Sequence, residues 1–292
     1  MYYNLDEFNA INDADRIQQA FDAIGEDGGG VLVIPPGRYT LDKKIWVRQP
    51  GNITIFAHQA HLIRKAGSGV NVMFSNEGPD TGYDNAGNIT VEGGVWDANG
   101  SEDDFNCDVF YFWHARDIVY RNLVVRGVPD WHAIEFRAVY YGEATGCRFE
   151  GFTSPTASRA FSEAVQVQEG EDDTMCRFLK ITGNTCRDFG RLIGSHTSPS
   201  DGIYSHERIL VSDNTCYGLN DYAVAARGWR DAIIANNVFD RCGGGVFMAL
   251  NEPPGSHAWH ASCLQNIVVE GNVFENVSID GQNKNAVIRV VG

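Results

Sequence analysis

Long apolar runs are missing from this chain of 292 residues: none approaches the ~20 that a bilayer-spanning helix needs. The opening MYYNLDEFNA has neither the basic region nor the apolar core of a secretory signal. Positive charge is scarce as well. Only 23 Lys and Arg stand against 38 Asp and Glu, a formal charge of −15. Nucleic acid is therefore not an expected partner, because its binding depends on Lys and Arg displacing counterions from phosphates. Cysteine is sparse and unpatterned: seven residues, an odd number, with no CxxC pair and no Cys/His cluster at zinc spacing. They read as reduced, buried thiols, and no resident metal is expected. Low-complexity tracts are also absent, and 43% hydrophobic residues supply ample material for a core.

What the chain does contain is a repeat. The runs 179-LKITGNTCRDF, 209-ILVSDNTCYGL, 232-AIIANNVFDRC and 267-IVVEGNVFENV line up, as do 118-IVYRNLVVRGV and 89-ITVEGGVWDAN less closely. Each is a β-branched strand, a tight turn carrying asparagine (Asn122, Asn184, Asn214, Asn237, Asn272), and then an apolar position filled by Cys186, Cys216, Phe239 and Phe274. Recurrence with variable insertions is the signature of a solenoid whose loops lengthen on one side. Strand-rich units without helical spacing make this an all-β protein, a single-stranded right-handed parallel β-helix. Asparagine tolerates left-handed backbone at a corner, and its amide can bond the copy on the next rung. Cysteine alternating with phenylalanine in one column fills space.

Ahead of the rungs, 13-DADRIQQAFDAIG-25 places Ile17, Ala20, Phe21 and Ile24 at helical spacing, with Asn12 or Asp13 as cap and Gly25 as stop. A short N-terminal capping α-helix would cover the open end of the solenoid. Residues 1–30 are thus expected to form the cap and 31–292 the β-helix with groove-forming loops, one domain overall. The run DADRIQQAFDAIG…GGGVLVIPPGRYTL resembles the opening of the pectate-lyase-like superfamily of parallel β-helix proteins, which includes polygalacturonases, polysaccharide lyases and phage tailspike depolymerases. The resemblance implies the architecture, an extended polysaccharide as partner, and a virion-borne or extracellular site of action, with the cytoplasm as the alternative. Tailspikes are homotrimers, so a trimer is one state it implies, although 285-NAVIRVVG-292 reads as a rung rather than a trimerising segment.

After each turn a second strand follows: 109-VFYFWHAR, 132-HAIEFR, 163-EAVQVQ, 191-RLIGSH, 222-YAVAAR and 244-GGVFMAL. Registered on Tyr111, Ile134, Val165, Ile193, Val224 and Val246 as inward residues, the outward columns read Phe112, Glu135, Gln166, Gly194, Ala225, Phe247 and His114, Arg137, Gln168, His196, Arg227, Ala249. Stacked at about 4.8 Å, they predict a polar groove floor of ~20 Å, long enough for several sugars. Histidine, arginine and glutamine there suit hydroxyls and carboxylates better than they suit plain solvation. Trp131 and Trp229 are candidates for stacking on sugar rings, as is Trp259 in a loop, whereas Trp46 in 45-IWVR-48 reads as core.

Glycoside hydrolysis needs two carboxyl groups. Glu163 is the expected acid, Glu135 its partner, and His196 and His132 would orient substrate, with Asp108, Asp130 and Asp201 at the groove edges. Glu163 lies where strict alternation would send it inward, so it must turn to the groove or hold a raised pKa. The Asn-x-Asp, Asp-Asp, Gly-His-Gly and Arg-Ile-Lys motifs of polygalacturonases are matched only by 194-GSH-196 and 172-DD-173, in the wrong order, so that mechanism does not carry over. A lyase is the rival reading, with His196 as base and Arg137 or Arg227 neutralising a uronate carboxylate, and only there would a calcium ion be needed. A non-catalytic glycan-binding adhesin or tail-fibre segment is the third.

Overall fold

The computed structural model describes residues 1–48, 51–152, 162–195, 206–249, 264–277 and 286–291. His196, Asp201 and Trp259 lie outside them. The chain coils through rungs of short strands, each paired in parallel with the strand one turn later rather than with its sequence neighbour. The result is a right-handed parallel β-helix. The first face holds Ile45–Val47, Val72–Asn76, the first half of Asp108–Arg121, the first half of His132–Thr145, Glu163–Gln168, Arg191–Gly194, Tyr222–Arg227, Gly244–Ala249 and Ile288–Val291. The second face includes Arg177–Thr182, His206–Ser212 and Trp229–Ala235, and the third is a separate sheet of nine short strands from Gly37–Leu41 to Val273–Glu275.

Two strands of 14 residues, Asp108–Arg121 and His132–Thr145, run through the first two faces without a break. They turn the corner at His114 (φ 50°) and Ala138 (φ 51°), both in the left-handed region that an L-residue enters at a cost. Inside, Phe74, Trp96, Phe110, Tyr120 and Phe136 pack ring on ring with centroids 4.8 to 5.9 Å apart. Further along, Phe149, Cys186, Cys216, Phe239 and Phe274 stack in register, and the six described cysteines are buried thiols outside any disulfide.

The asparagine turn differs from expectation in one respect. The residue with left-handed φ is the one before the ladder asparagine: Gly183, Asp213, Asn236 and Gly271. Asn122 is itself left-handed (φ 54°), so it belongs to this earlier position and not to the ladder. Asn184, Asn214, Asn237 and Asn272 are free for another task. The amide oxygens of Asn214, Asn237 and Asn272 each accept the backbone N–H of the preceding ladder residue at 3.0 Å and its Nδ2 at 2.9 Å, and that of Asn184 accepts Cys147 N at 2.8 Å. The Asn214 side chain joins four such bonds, including one from its Nδ2 to Ile181 O at 2.8 Å. Asn214→Ala orphans the buried Asn184 N–H and should cost about 3 kcal/mol, since an unsatisfied buried donor alone costs about 1–3 kcal/mol. Asn272→Ala, at the half-buried end, should cost about a third of that in the same thermal denaturation series.

The helix spans Asp13–Glu26, with Asn12 Oδ1 accepting from Asp15 N at 2.7 Å. It buries Ala14, Ile17, Ala20, Phe21 and Ile24 over the first rung. It continues through Gly25, the expected stop, to Glu26 and is capped by Asp27, after which Gly29 N donates to Ile24 O at 2.9 Å. Among the described residues no helix is long and apolar enough to cross a membrane.

Candidate active site

On the first face, register pairing stacks Trp46, Ser75, Tyr111, Glu135, Gln166, Gly194, Ala225, Phe247 and Arg289 in one outward column over nine rungs. The column from Glu135 to Phe247 matches the sequence alignment. The rung before it slips by one residue: Phe110 and Phe112 are both buried, so Tyr111 faces outward beside Glu135, and Trp113 takes the place assigned to His114. A one-residue slip moves every side chain of a strand to the opposite face, and the two buried phenylalanines decide it. His114, at the corner, is fully buried with Nδ1 at 2.8 Å from Gly82 O, so it does not line the groove. Trp46, expected in the core, is half-buried in the outward column with the Lys44 ammonium 4.5 Å over its ring.

A second polar column runs three residues earlier, because the two residues between the columns, such as Ala133 and Ile134 or Ala164 and Val165, are both buried. It carries Asp108, His132, Glu163 and Arg191 on successive rungs. Side by side these form a continuous chain of charge. Asp108 Oδ1 accepts from His132 N at 3.0 Å and lies 2.9 Å from its Nδ1, and Glu135 Oε2 lies 3.4 Å from the same nitrogen. Glu163 Oε2 is 3.3 Å from His132 Nε2, while its Oε1 accepts from Arg191 at 2.6 Å. Arg191 reaches on to Asp221, its Nε donating to Oδ2 at 2.9 Å. Gly194 makes room for this pairing: a Cβ there would stand 3.0 Å from Glu163 Oε1 and 3.2 Å from Arg191 Cδ.

Burial is deepest at Glu163, which has no exposed surface, and eases to 8% at Glu135 and 9% at His132. Burial raises the Asp108 carboxyl to about 6, against the pull of the neighbouring imidazole. Burial opposes the His132 imidazolium too, but Asp108, Glu135 and Glu163 outweigh it and hold that histidine well above its ordinary value. Asp108, His132 and Glu135 also bring three ligand atoms within 4.8 Å of one another, the one such set among the described residues. A cation bound there would replace the proton at His132 Nδ1.

The remaining expected groove residues are placed as follows. Arg137 and Gln168 pair on adjacent rungs, with Arg137 Nη1 donating to Tyr111 Oη at 2.9 Å. Gln166 is 2% exposed, and with its amide oriented to satisfy both ends it donates to Glu163 Oε2 and Gly194 O at 3.3 Å each. It therefore braces Glu163 beneath the groove surface. Arg227 is half-buried over the Phe247 ring at 4.9 Å, and burial, then Arg191, lowers its pKa. Trp229 is wholly buried, its Nε1 donating to Ser195 Oγ at 3.0 Å, so it is a core residue and not a sugar platform. Trp131 is half-buried directly before His132 with φ at 69°. The alignment left Arg191 and Asp221 unassigned and gave Asp108 only an edge position. Carrying the strand-entry offset of His132 and Glu163 to the neighbouring rungs finds Asp108 and Arg191.

No family model matches this chain, and no curated protein matches it by sequence. Solved structures do match. The surface adhesin PfbA of Streptococcus pneumoniae aligns with TM-score 0.73 at 14% identity over 99% of this chain and 76% of its own. An alginate lyase from a Paenibacillus species aligns with TM-score 0.69 at 14% identity over 96% and 89%. A family 28 exopolygalacturonase of Yersinia enterocolitica aligns with TM-score 0.64 at 16% identity over 100% and 68%. These likenesses establish the shared β-helix scaffold.

Proposed function

We propose that this chain binds an extended polysaccharide along its first face and cleaves it as a glycoside hydrolase, with Asp108 and Glu135 as the carboxyl pair. The observation that carries this reading is the pair itself: two carboxylates on the same imidazole nitrogen, nearly closed off from water, where the two polar columns of the first face meet. Asp108, raised to about 6, holds a proton that it can give to the leaving glycosidic oxygen. Glu135 activates water or attacks the anomeric carbon. His132 holds both carboxylates in place, and Glu163, the acid expected from sequence, becomes a positioning residue because it has no surface for substrate to touch. Two of the structural neighbours, an exopolygalacturonase and an alginate lyase, support the polysaccharide class.

Elimination is the second reading, favoured by Arg137 and Arg227, which flank the groove with cations suited to a uronate carboxylate. Incubation with a panel of polysaccharides separates the readings. Reducing ends without ultraviolet absorbance, unchanged by chelator, are expected. Absorbance from unsaturated uronates would mean elimination, retention without any product would mean a binding module, and loss on chelation restored by zinc would put a cation at Asp108, His132 and Glu135. Trp131 stands beside the pair with a bulky side chain on left-handed backbone, a conformation that persists where the surroundings demand it. Trp131→Ala should raise KM about fivefold to tenfold, the value of one aromatic contact, while kcat stays within about twofold.

A further inference from the structure

A cavity lies away from the polar columns, on the third face, whose nine strands pair only with one another. Its volume is about 310 Å³, and its walls include Arg148, Arg187, Glu150 and Tyr217 with Thr185 and Thr215 between them. Register explains the composition. Arg148, Thr185 and Thr215 stack in one outward column, and Glu150, Arg187 and Tyr217 in the next. Two threonines succeed a long arginine, so the column drops to a short hydroxyl floor between taller walls.

The charges there are unequal. Arg148 Nε lies 2.7 Å from Glu150 Oε1, and Arg187 Nη2 donates to the same oxygen at 2.8 Å. Two guanidinium groups share one carboxylate, each more than half exposed, and most of their N–H donors point elsewhere. The cavity is thus locally positive on a chain whose net charge is −15. Tyr217, 44% exposed, is held by Arg241, whose guanidinium sits 5.0 Å over the ring and donates to its hydroxyl. An aromatic ring, two hydroxyls and spare guanidinium donors together match a sugar carrying an acidic group. A further cavity of about 270 Å³ shares Arg187 and Glu150 but is lined by Asp97 and Asp188 as well, so the positive charge is confined to the first cavity.

We infer that the third face carries a second, non-catalytic glycan site that takes an acidic sugar unit at Arg148 and Arg187. Such a site would hold a polymer to the protein independently of the groove. The test follows backbone amide shifts of the full chain while D-glucuronate, D-glucose or inorganic sulfate is added. Glucuronate should shift the amides of Thr185, Thr215 and Tyr217 with millimolar affinity, at least fivefold tighter than either glucose or sulfate. The Arg148→Gln/Arg187→Gln variant should lose at least fivefold of that affinity with the far-ultraviolet spectrum unchanged, while Asp108→Asn should retain it in full. Equal binding of glucose would overturn the acidic preference, equal binding of sulfate would reduce the site to a plain anion site, and shifts confined to the first face would remove it. Because the Asp108→Asn comparison isolates the groove, a failed hydrolase reading leaves this result intact.

Discussion

Asp108→Asn should lower kcat by about a thousandfold while leaving KM within about threefold, because general acid catalysis contributes about 10²–10⁴ and asparagine keeps the shape without the proton. The wild-type pH–rate profile should show an alkaline limb near 6. Asp108 is raised to about 6 by its burial, so the protonated, active form is present below that value and is lost as pH rises through it. In Asp108→Asn that limb should vanish. Glu135→Gln should cost a comparable factor in kcat. Glu163→Gln is the discriminating comparison: it should lose far less activity and keep the limb at the same pH, since Glu163 acts through His132 and not on substrate. If Glu163→Gln were the deader enzyme and Asp108→Asn kept the limb, the roles assigned to the two carboxylates would have to be exchanged.

Arg191→Met should produce the largest loss of stability of any single substitution discussed. Glu163 is completely buried and Arg191 donates to its Oε1 at 2.6 Å. Removing one member of a buried ion pair costs about 3–5 kcal/mol, because the remaining charge stays out of water without compensation. For a chain of this size that is a fall in Tm of roughly 10 °C. The double variant Arg191→Met/Glu163→Met should recover most of it, since apolar side chains of similar volume remove both charges together. Thermal denaturation of the three proteins checks this. A fall below about 2 °C for the single variant would mean that His132 and Gln166 carry Glu163 without the arginine.

Much of the scaffold was legible because it rests on local rules repeated many times. Period-two alternation and the asparagine turns identify rungs, and the stacked Cys186, Cys216, Phe239 and Phe274 column follows from aligning the turns. The alignment failed where a rung departs from strict alternation. At Phe110–Trp113 the sequence offers aromatic residues at four consecutive positions, and nothing local says which two point inward. His114 looked like a groove residue only because its corner was not visible, and Trp229 because aromatic residues suit both a sugar platform and a core.

By itself, the sequence determined the coil and its helical cap, and it placed Glu135, Gln166 and Gly194 on neighbouring rungs. Those features depend on side-chain periodicity and turn chemistry, which each rung carries within its own residues. Only the tertiary structure decided which charges meet. Asp108, His132, Glu163 and Arg191 come from four separate rungs, and two buried residues per rung set them three positions before the main column. Their pairing, the raised pKa of Asp108 and the sheltering of Glu163 arise from distances across rungs and from exclusion of water, which no single stretch of chain encodes.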